Sequence, residues 1–367
     1  PVVELSPGIL GFTMRDLLLD AGTNTCLFAP DLKRGTFESM RFGGKGHDLV
    51  RLPYAREMRF LGCHFNVRRG NGLNLERSVA GVRYANGNRI DAPVQNHIVL
   101  RECVFVSLDS PNKNEGIGFL ISNGTGITVD SCQFEDCKKA AITIRDCRAV
   151  SINGGYFESN GDEPLRFGYP PVEINAEILL LGSSYRDEIL SQFDGVGYVE
   201  GCSVSGIRSL SSNPLVYAQG VRGLSVRDCY GNNGHAPVVA MSGFQPDSRS
   251  IVRNVVLQNC NDWREEPAVR IHPGTAEGNT RSLFLHTWRG RAISTMNAHQ
   301  EIGVNYLSTD PDAYKRIGRE IGAATEFVEG ADDYRGFGTL VLHKMDAGSA
   351  SSHCYGVTFP MSEYEEL

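Results

Sequence analysis

The sequence predicts an all-β chain, a right-handed single-stranded parallel β-helix of about 10–12 coils with a small α/β cap at its C-terminal end. Three observations carry this: a short motif recurs through most of the chain, one position of it is apolar without exception, and cysteine favours one slot. The motif, apolar-x-apolar-x-x-Cys-x-Phe, reads most plainly as ITVDSCQF at 127–134. In chain order it recurs as FTMRDLLL from Phe12, GTFESMRF from Gly35, MRFLGCHF from Met58, IVLRECVF from Ile98, VSINGGYF from Val150, GYVEGCSV from Gly197, LSVRDCYG from Leu224 and VVLQNCND from Val255. The slots lie at 17, 40, 63, 103, 132, 155, 202, 229 and 260, and three of the intervals equal 23.

A second short strand precedes the motif, as in LVRL (49–52), FLI (119–121), ITI (142–144) and LVYA (215–218). Period-2 alternation in both strands sends one set of side chains inward and the other outward. The inward row at the third motif position is Met14, Phe37, Phe60, Leu100, Val129, Ile152, Val199, Val226 and Leu257. Its outward neighbours, Arg15, Glu38, Leu61, Arg101, Asp130, Asn153, Glu200, Arg227 and Gln258, are mostly polar. A propeller blade needs about four strands in some 40–45 residues. The shorter repeat fits one coil of a parallel solenoid, and parallel crossovers are right-handed.

Composition agrees. The 367 residues include 41 Gly with no Gly-X-Y period, which excludes collagen and favours a turn-rich chain. A net charge of -7 argues against general binding to nucleic acid or anionic membranes, both polyanions. No apolar run reaches the roughly 18 residues of a membrane span, and no signal segment opens the chain, so no membrane insertion is expected. The start at Pro1, inside strand-like sequence, suggests that upstream residues have been removed. The ten cysteines form no CxxC and the nine histidines no HExxH, so neither a metal site nor another cofactor is expected. The cysteine slot points inward, where thiols serve as small apolar side chains. So many stacked thiols favour folding in a reducing cytoplasm.

Segments such as ITVDSCQFEDC and VSINGGYFESN resemble coils of the pectate-lyase-like right-handed parallel β-helix superfamily, most of all bacteriophage tailspike and tail-fibre polysaccharide depolymerases. The resemblance spans about residues 11–290 and lies in coil grammar, not in a catalytic signature. The turn row Asp16, Ser39, Gly62, Glu102, Ser131, Gly154, Gly201, Asp228 and Asn259 lacks the uniform asparagine ladder of pectate lyases, and no amphipathic helix caps the first coil. The resemblance implies a polysaccharide or oligosaccharide ligand, a homotrimer, and residence on a virion or outside the cell after cytoplasmic folding.

The β-helix is expected over 1–300 and a cap or oligomerisation element over 301–367. Within the latter, DPDAYKRIGREIGAATEF from Asp310 reads as a helix, and GTLVLHKM (338–345) and HCYGVTFP (353–360) read as strands. Departures from the 23-residue period mark loops, and loops wall clefts. The longest excursions, 68–96 and 160–195, bracket the coils of Cys132 and Gly155, and the second has room for an extra coil with Ile178 near the slot. A groove over those coils is the expected site.

On that groove Glu135 and Glu158, one interval of 23 apart, should stack as a carboxylate pair, with Asp162 or Glu163 approaching from the loop. Paired carboxylates at the inter-strand spacing suit general acid and nucleophile work, against the plainer reading of two solvated turn glutamates. Arg145 and Arg166 would bind an acidic sugar, or pair with local acids such as Asp146. Tyr156 and Tyr230 share an outward row and would stack on sugars; Tyr84, Tyr169 and Tyr185 lie in excursions, and Trp263 one coil beyond Cys260. No GxSxG, P-loop or dinucleotide fingerprint occurs. The leading expectation is an endo-glycosidase acting on a bacterial surface polysaccharide. A uronic-acid lyase and a non-catalytic carbohydrate-binding adhesin or tail protein are the alternatives.

Overall fold

The computed structural model describes residues 1–67, 69–76, 82–83, 89–90, 95–107, 115–167, 172–182, 199–231, 238–242, 252–258, 260, 269–272, 280–286, 293–295, 304–307, 323–328, 337–344 and 353–360. They wind as a right-handed parallel β-helix. A back sheet of 11 strands faces a front sheet whose main path also has 11. Short side strands follow the front strands after a turn, as in Leu18–Asp20, Arg41–Gly44, His64–Val67 and Val104–Val106, and merge with them in Gly124–Glu135 and Arg148–Glu158.

The inward front row stacks in register from Met14 through Phe37, Phe60, Leu100, Val129 and Ile152. From Phe37 on these side chains are buried. The slot row, Met40, Cys63, Cys103, Cys132, Cys229 and Cys260, is buried as well, and none of the described cysteines forms a disulfide. The turn between front and side strands is made at each coil by one residue in the left-handed region: Asp16, Ser39, Gly62, Glu102, Ser131, Gly154, Gly206 and Asp228. That conformation reverses the alternation for a single residue and so redirects the strand.

The same ladder corrects one coil of the expected frame. Cys202 pairs with Val150 and Leu224, and Val204 with Ile152 and Val226. The slot of this coil is therefore Ile207, opposite Gly155, and its third inward position is Val204 rather than Val199. Ser205, not Glu200, stands in the outward row, and Gly206 replaces Gly201 at the turn. Gly201 instead belongs to a second left-handed ladder, near the start of the front strands, with Gly126, Ala149 and Gly223. Both frames place alternate apolar residues inside, so the cysteine cue selected the wrong one.

Ile178 is likewise not near a slot. Ile178–Leu181 is a back-sheet strand between Ala140–Arg145 and Val216–Gln219, while the front strands Arg148–Glu158 and Val199–Leu210 pair directly, so no extra coil intervenes. The excursion forms a two-stranded hairpin, Leu165–Phe167 with Val172–Ile174, instead. Its Leu165 and Ile174 close a satellite core on the outer face of the back sheet over Leu120, Leu179, Leu181 and Tyr217. Leu120, which alternates to the outer face of its back-sheet strand, is thus only 3% exposed.

Inside the side strands, phenylalanines stack from coil to coil: Phe42 on Phe65 at 5.0 Å, Phe65 on Phe105 at 4.4 Å, Phe105 on Phe134 at 4.7 Å, and Phe157 edge-on to Phe134 at 5.0 Å. The next coil puts Ser209 in that row, and the gap holds polar groups, Asn160 and Glu177, both fully buried. Asn160 is consumed by backbone: its Oδ1 accepts from Cys137 N and its Nδ2 donates to Phe134 O, each at 3.0 Å. Ser209 and Asn160 face the Glu177 carboxyl, yet neither reaches hydrogen-bond geometry with it.

The last described strand of the front sheet is Val304–Leu307. Beyond it, Ala323–Val328, Phe337–Lys344 and His353–Pro360 form a three-stranded antiparallel sheet. The two expected strands are present. The helix expected from Asp310 is corrected at its end, where residues 323–327 are strand; Thr325, Phe327 and Val328 favour that state, and pairing to Phe337–Lys344 overrides the helical pattern. The remainder of that segment lies outside the described residues.

Candidate functional site

The outer surface of the side strands collects four of the expected residues. Because Cys132 and Phe134 point inward, Gln133 and Glu135 point out, and the next coil repeats this with Tyr156 and Glu158. In register along the axis, the first outward row runs Leu18, Arg41, His64, Val104, then Gln133, Tyr156, Arg208 and Tyr230. The second runs Asn66, Val106, Glu135, Glu158 and Leu210.

Glu135 and Glu158 are direct neighbours on adjacent strands, hence about 4.8 Å apart at the backbone. Each carboxylate is held along its own strand. The Tyr156 hydroxyl donates to Glu158 Oε2 at 2.6 Å, and Gln133 Nε2 donates to Glu135 Oε1. The Glu158 hydrogen bond stabilises the Tyr156 phenol and raises its pKa above the ordinary 10.0; nearby Glu135 acts in the same direction and Arg208 against it. Tyr156 and Tyr230 flank Arg208, and Tyr230 is 41% exposed. Two phenol faces about two strand spacings, or roughly 9.6 Å, apart with a guanidinium between them form a platform for stacking and for hydrogen bonds to hydroxyl or acidic groups.

The remaining expected residues lie elsewhere or outside the described residues. Asp162 sits 3.6 Å from Lys138, which also approaches Asp136, and Glu163 pairs with Lys139 at 3.1 Å. Arg145 is on the back sheet, where its Nη1 donates to Glu76 Oε1 at 2.6 Å, so it faces away from the two glutamates. Arg166 pairs through its backbone with Glu173 in the excursion hairpin, on the back-sheet side. Tyr84, Tyr169, Tyr185 and Trp263 lie outside the described residues. The described part of the excursion expected to wall the groove, residues 160–167 and 172–182, is drawn onto the back sheet, because Leu165 and Ile174 gain more by covering apolar surface there than by standing in water.

Arg208 and Gln133 are the site residues that sequence reasoning missed. Arg208 was hidden by the misplaced frame; aligning on the glycine turn at Gly206 puts it beside Tyr156. Among the described residues no group of three or more His, Cys, Asp or Glu is placed to hold a metal ion. No described helix is long and apolar enough to cross a membrane.

No family model and no curated protein matches the chain. Among solved structures, the crystal structure of PfbA, a surface adhesin of Streptococcus pneumoniae, aligns at 10% identity over 81% of this chain and 69% of that one, with a TM-score of 0.32. A second structure of the same surface protein and adhesin aligns at 10% identity over 82% of this chain and 90% of that one, with a TM-score of 0.25. At superpositions this loose, neither structure informs the site.

Proposed function

We propose that the chain is a carbohydrate-binding β-helix, an adhesin or tail-type protein that holds a polysaccharide along the outer face of its side strands. The observation that carries this is the Tyr156–Arg208–Tyr230 row, an aromatic pair with a polar group between, at the regular spacing of the strands. The likeness of the coil grammar to tailspike depolymerases supports sugar as the ligand class and an extracellular or virion setting. Binding is favoured over catalysis because Glu135 and Glu158 are both partly solvated acceptors within their own strands, and the described part of the long excursion turns to another face.

One observation keeps an enzymatic reading alive: retaining glycosidases hold their carboxyls about 5–5.5 Å apart, and Glu135 and Glu158 are register neighbours. Incubation with purified bacterial surface polysaccharides separates the readings. Retention of a polysaccharide that Tyr156→Ala/Tyr230→Ala loses, with no new reducing ends, supports binding alone. New reducing ends that vanish in folded Glu135→Gln and Glu158→Gln variants would make the chain a glycosidase, and ultraviolet-absorbing unsaturated products a lyase. No retention of any polysaccharide removes the carbohydrate reading.

A further inference from the structure

The row that carries the tyrosines continues toward the N-terminal coils and there meets a cleft. It measures about 1140 Å³, is floored by Gly43, Gly44 and Gly62, and is bordered by Arg41, Lys45 and His64. Its floor is backbone: a Cβ placed on Gly43 would meet only Asn66 O, at 3.8 Å, so a ligand can approach the main chain closely there. Arg41 lies five strands from Arg208 in the same outward row, about 24 Å along the axis.

On the adjoining front face some cations are neutralised by acids, while Arg15 and Arg59 are exposed and, among the described residues, make no ion pair. There, Arg101 is paired with Asp130 at 3.0 Å and Arg148 with Glu200 at 3.5 Å. Arg41, Lys45 and Arg208 are exposed and, among the described residues, make no ion pair. The acids that border the cleft, Asp16 and Asp20, lie on the first coil, one step beyond Arg41 and away from the tyrosines, and Asp20 accepts from Gly22 N at 3.1 Å. Burial and the charge of Arg41 lower the His64 pKa, so Arg41 and Lys45 supply the positive charge of the cleft. An exposed, unpaired guanidinium or ammonium keeps its full hydrogen-bonding capacity for a carboxylate, sulfate or phosphate.

We propose that the ligand is an anionic glycan laid along the solenoid axis, with one acidic group in the cleft at Arg41 and Lys45, another at Arg208, and sugar rings on Tyr156 and Tyr230. This rests on the carbohydrate-binding reading and adds the charge class of the glycan, its direction and a second contact region. The Glu135–Glu158 pair, between the two basic points, then faces a neutral stretch of the repeat and discriminates against uniformly charged chains.

The test uses the full chain on a glycan array, followed by titration of the best-retained glycan. Retained glycans that carry acidic groups, with affinity falling about tenfold both in Arg41→Gln/Lys45→Gln and in Arg208→Gln and falling again between about 50 and 300 mM salt, are the expected result. The substituted side chains are exposed, so the far-ultraviolet circular dichroism and melting temperature should not change. Retained glycans that are neutral overturn the proposal while leaving carbohydrate binding intact. An acidic glycan whose affinity is unchanged in Arg41→Gln/Lys45→Gln overturns the two-point track. Absence of any glycan binding removes the carbohydrate reading and this proposal together.

Discussion

Replacing Glu177 by glutamine should remove most of a pH dependence built into the folding stability. The carboxyl lies where the phenylalanine stack of the lumen gives way to Ser209, is fully buried, and its pKa is raised by burial from 4.5 to about 8, with Ser209 and Asn160 partly offsetting this. The folded state therefore holds a proton that the unfolded state has released between those two values. The group's stability is complete below the unfolded pKa and is lost as pH rises toward the folded one. Linkage puts the loss at about 2.5 kcal/mol between pH 5 and pH 7, and about 4 kcal/mol by pH 9. Glutamine keeps the shape of the neutral acid without the titration. Urea unfolding of both proteins at pH 5, 7 and 9 reads the difference: the wild-type stability should fall relative to Glu177→Gln by those amounts. Curves that run parallel across the range would refute the buried-acid argument. Glu177→Leu, which extends the apolar filling, should flatten the profile in the same way and guards against a packing defect specific to glutamine.

Three further outcomes follow from packing and assembly. Phe105→Ala, which removes a fully buried ring stacked at 4.4 Å on one side and 4.7 Å on the other, should cost about 3–5 kcal/mol in denaturant unfolding, whereas a cost near that of a surface change would contradict the continuous stack. Native-state labelling with a bulky maleimide should leave Cys103, Cys132 and Cys202 unreacted over hours, since all three are buried and burial pushes the Cys202 thiol up to about 12; fast modification of any of them would show the coil register to be wrong. We propose a homotrimer whose contact uses the half-buried front-face residues Leu61, Val99 and Val256. Sedimentation equilibrium should then give about three times 40.2 kDa, and a monomer at micromolar concentration would exclude it.

The front strands were legible because each places an apolar residue at one position and most place a small one at the slot, and a period of 2 leaves little freedom when one face is buried. The frame slipped at Cys202 because Val199, Cys202, Val204 and Ile207 are all buried and satisfy two overlapping registers. Only the left-handed turn at Gly206 distinguishes them, and glycine at Gly201 carries the same local signal. The destination of the long excursion was illegible for a different reason. Leu165 and Ile174 are apolar, but whether they cover the groove or the back sheet depends on Leu120, Leu179 and Tyr217, which alternate outward on three different back-sheet strands and read locally as solvated positions. At the candidate site the carboxylate pair followed from the 23-residue interval and the tyrosine row from the position after the slots Gly155 and Cys229, while Arg208 depended on the misread register. Arg145 reads from its strand as outward, but its being on another sheet from the glutamates is a property of the coil as a whole.

Hydroxyl-radical footprinting of the full chain, with and without its best-retained polysaccharide, tests the central claim most directly. Bound polysaccharide should protect Tyr156 and Tyr230 several-fold while leaving back-sheet Tyr217 unchanged, as expected for a ligand on the side strands. Binding with no protection of either tyrosine, or with protection confined to other faces, would contradict the account.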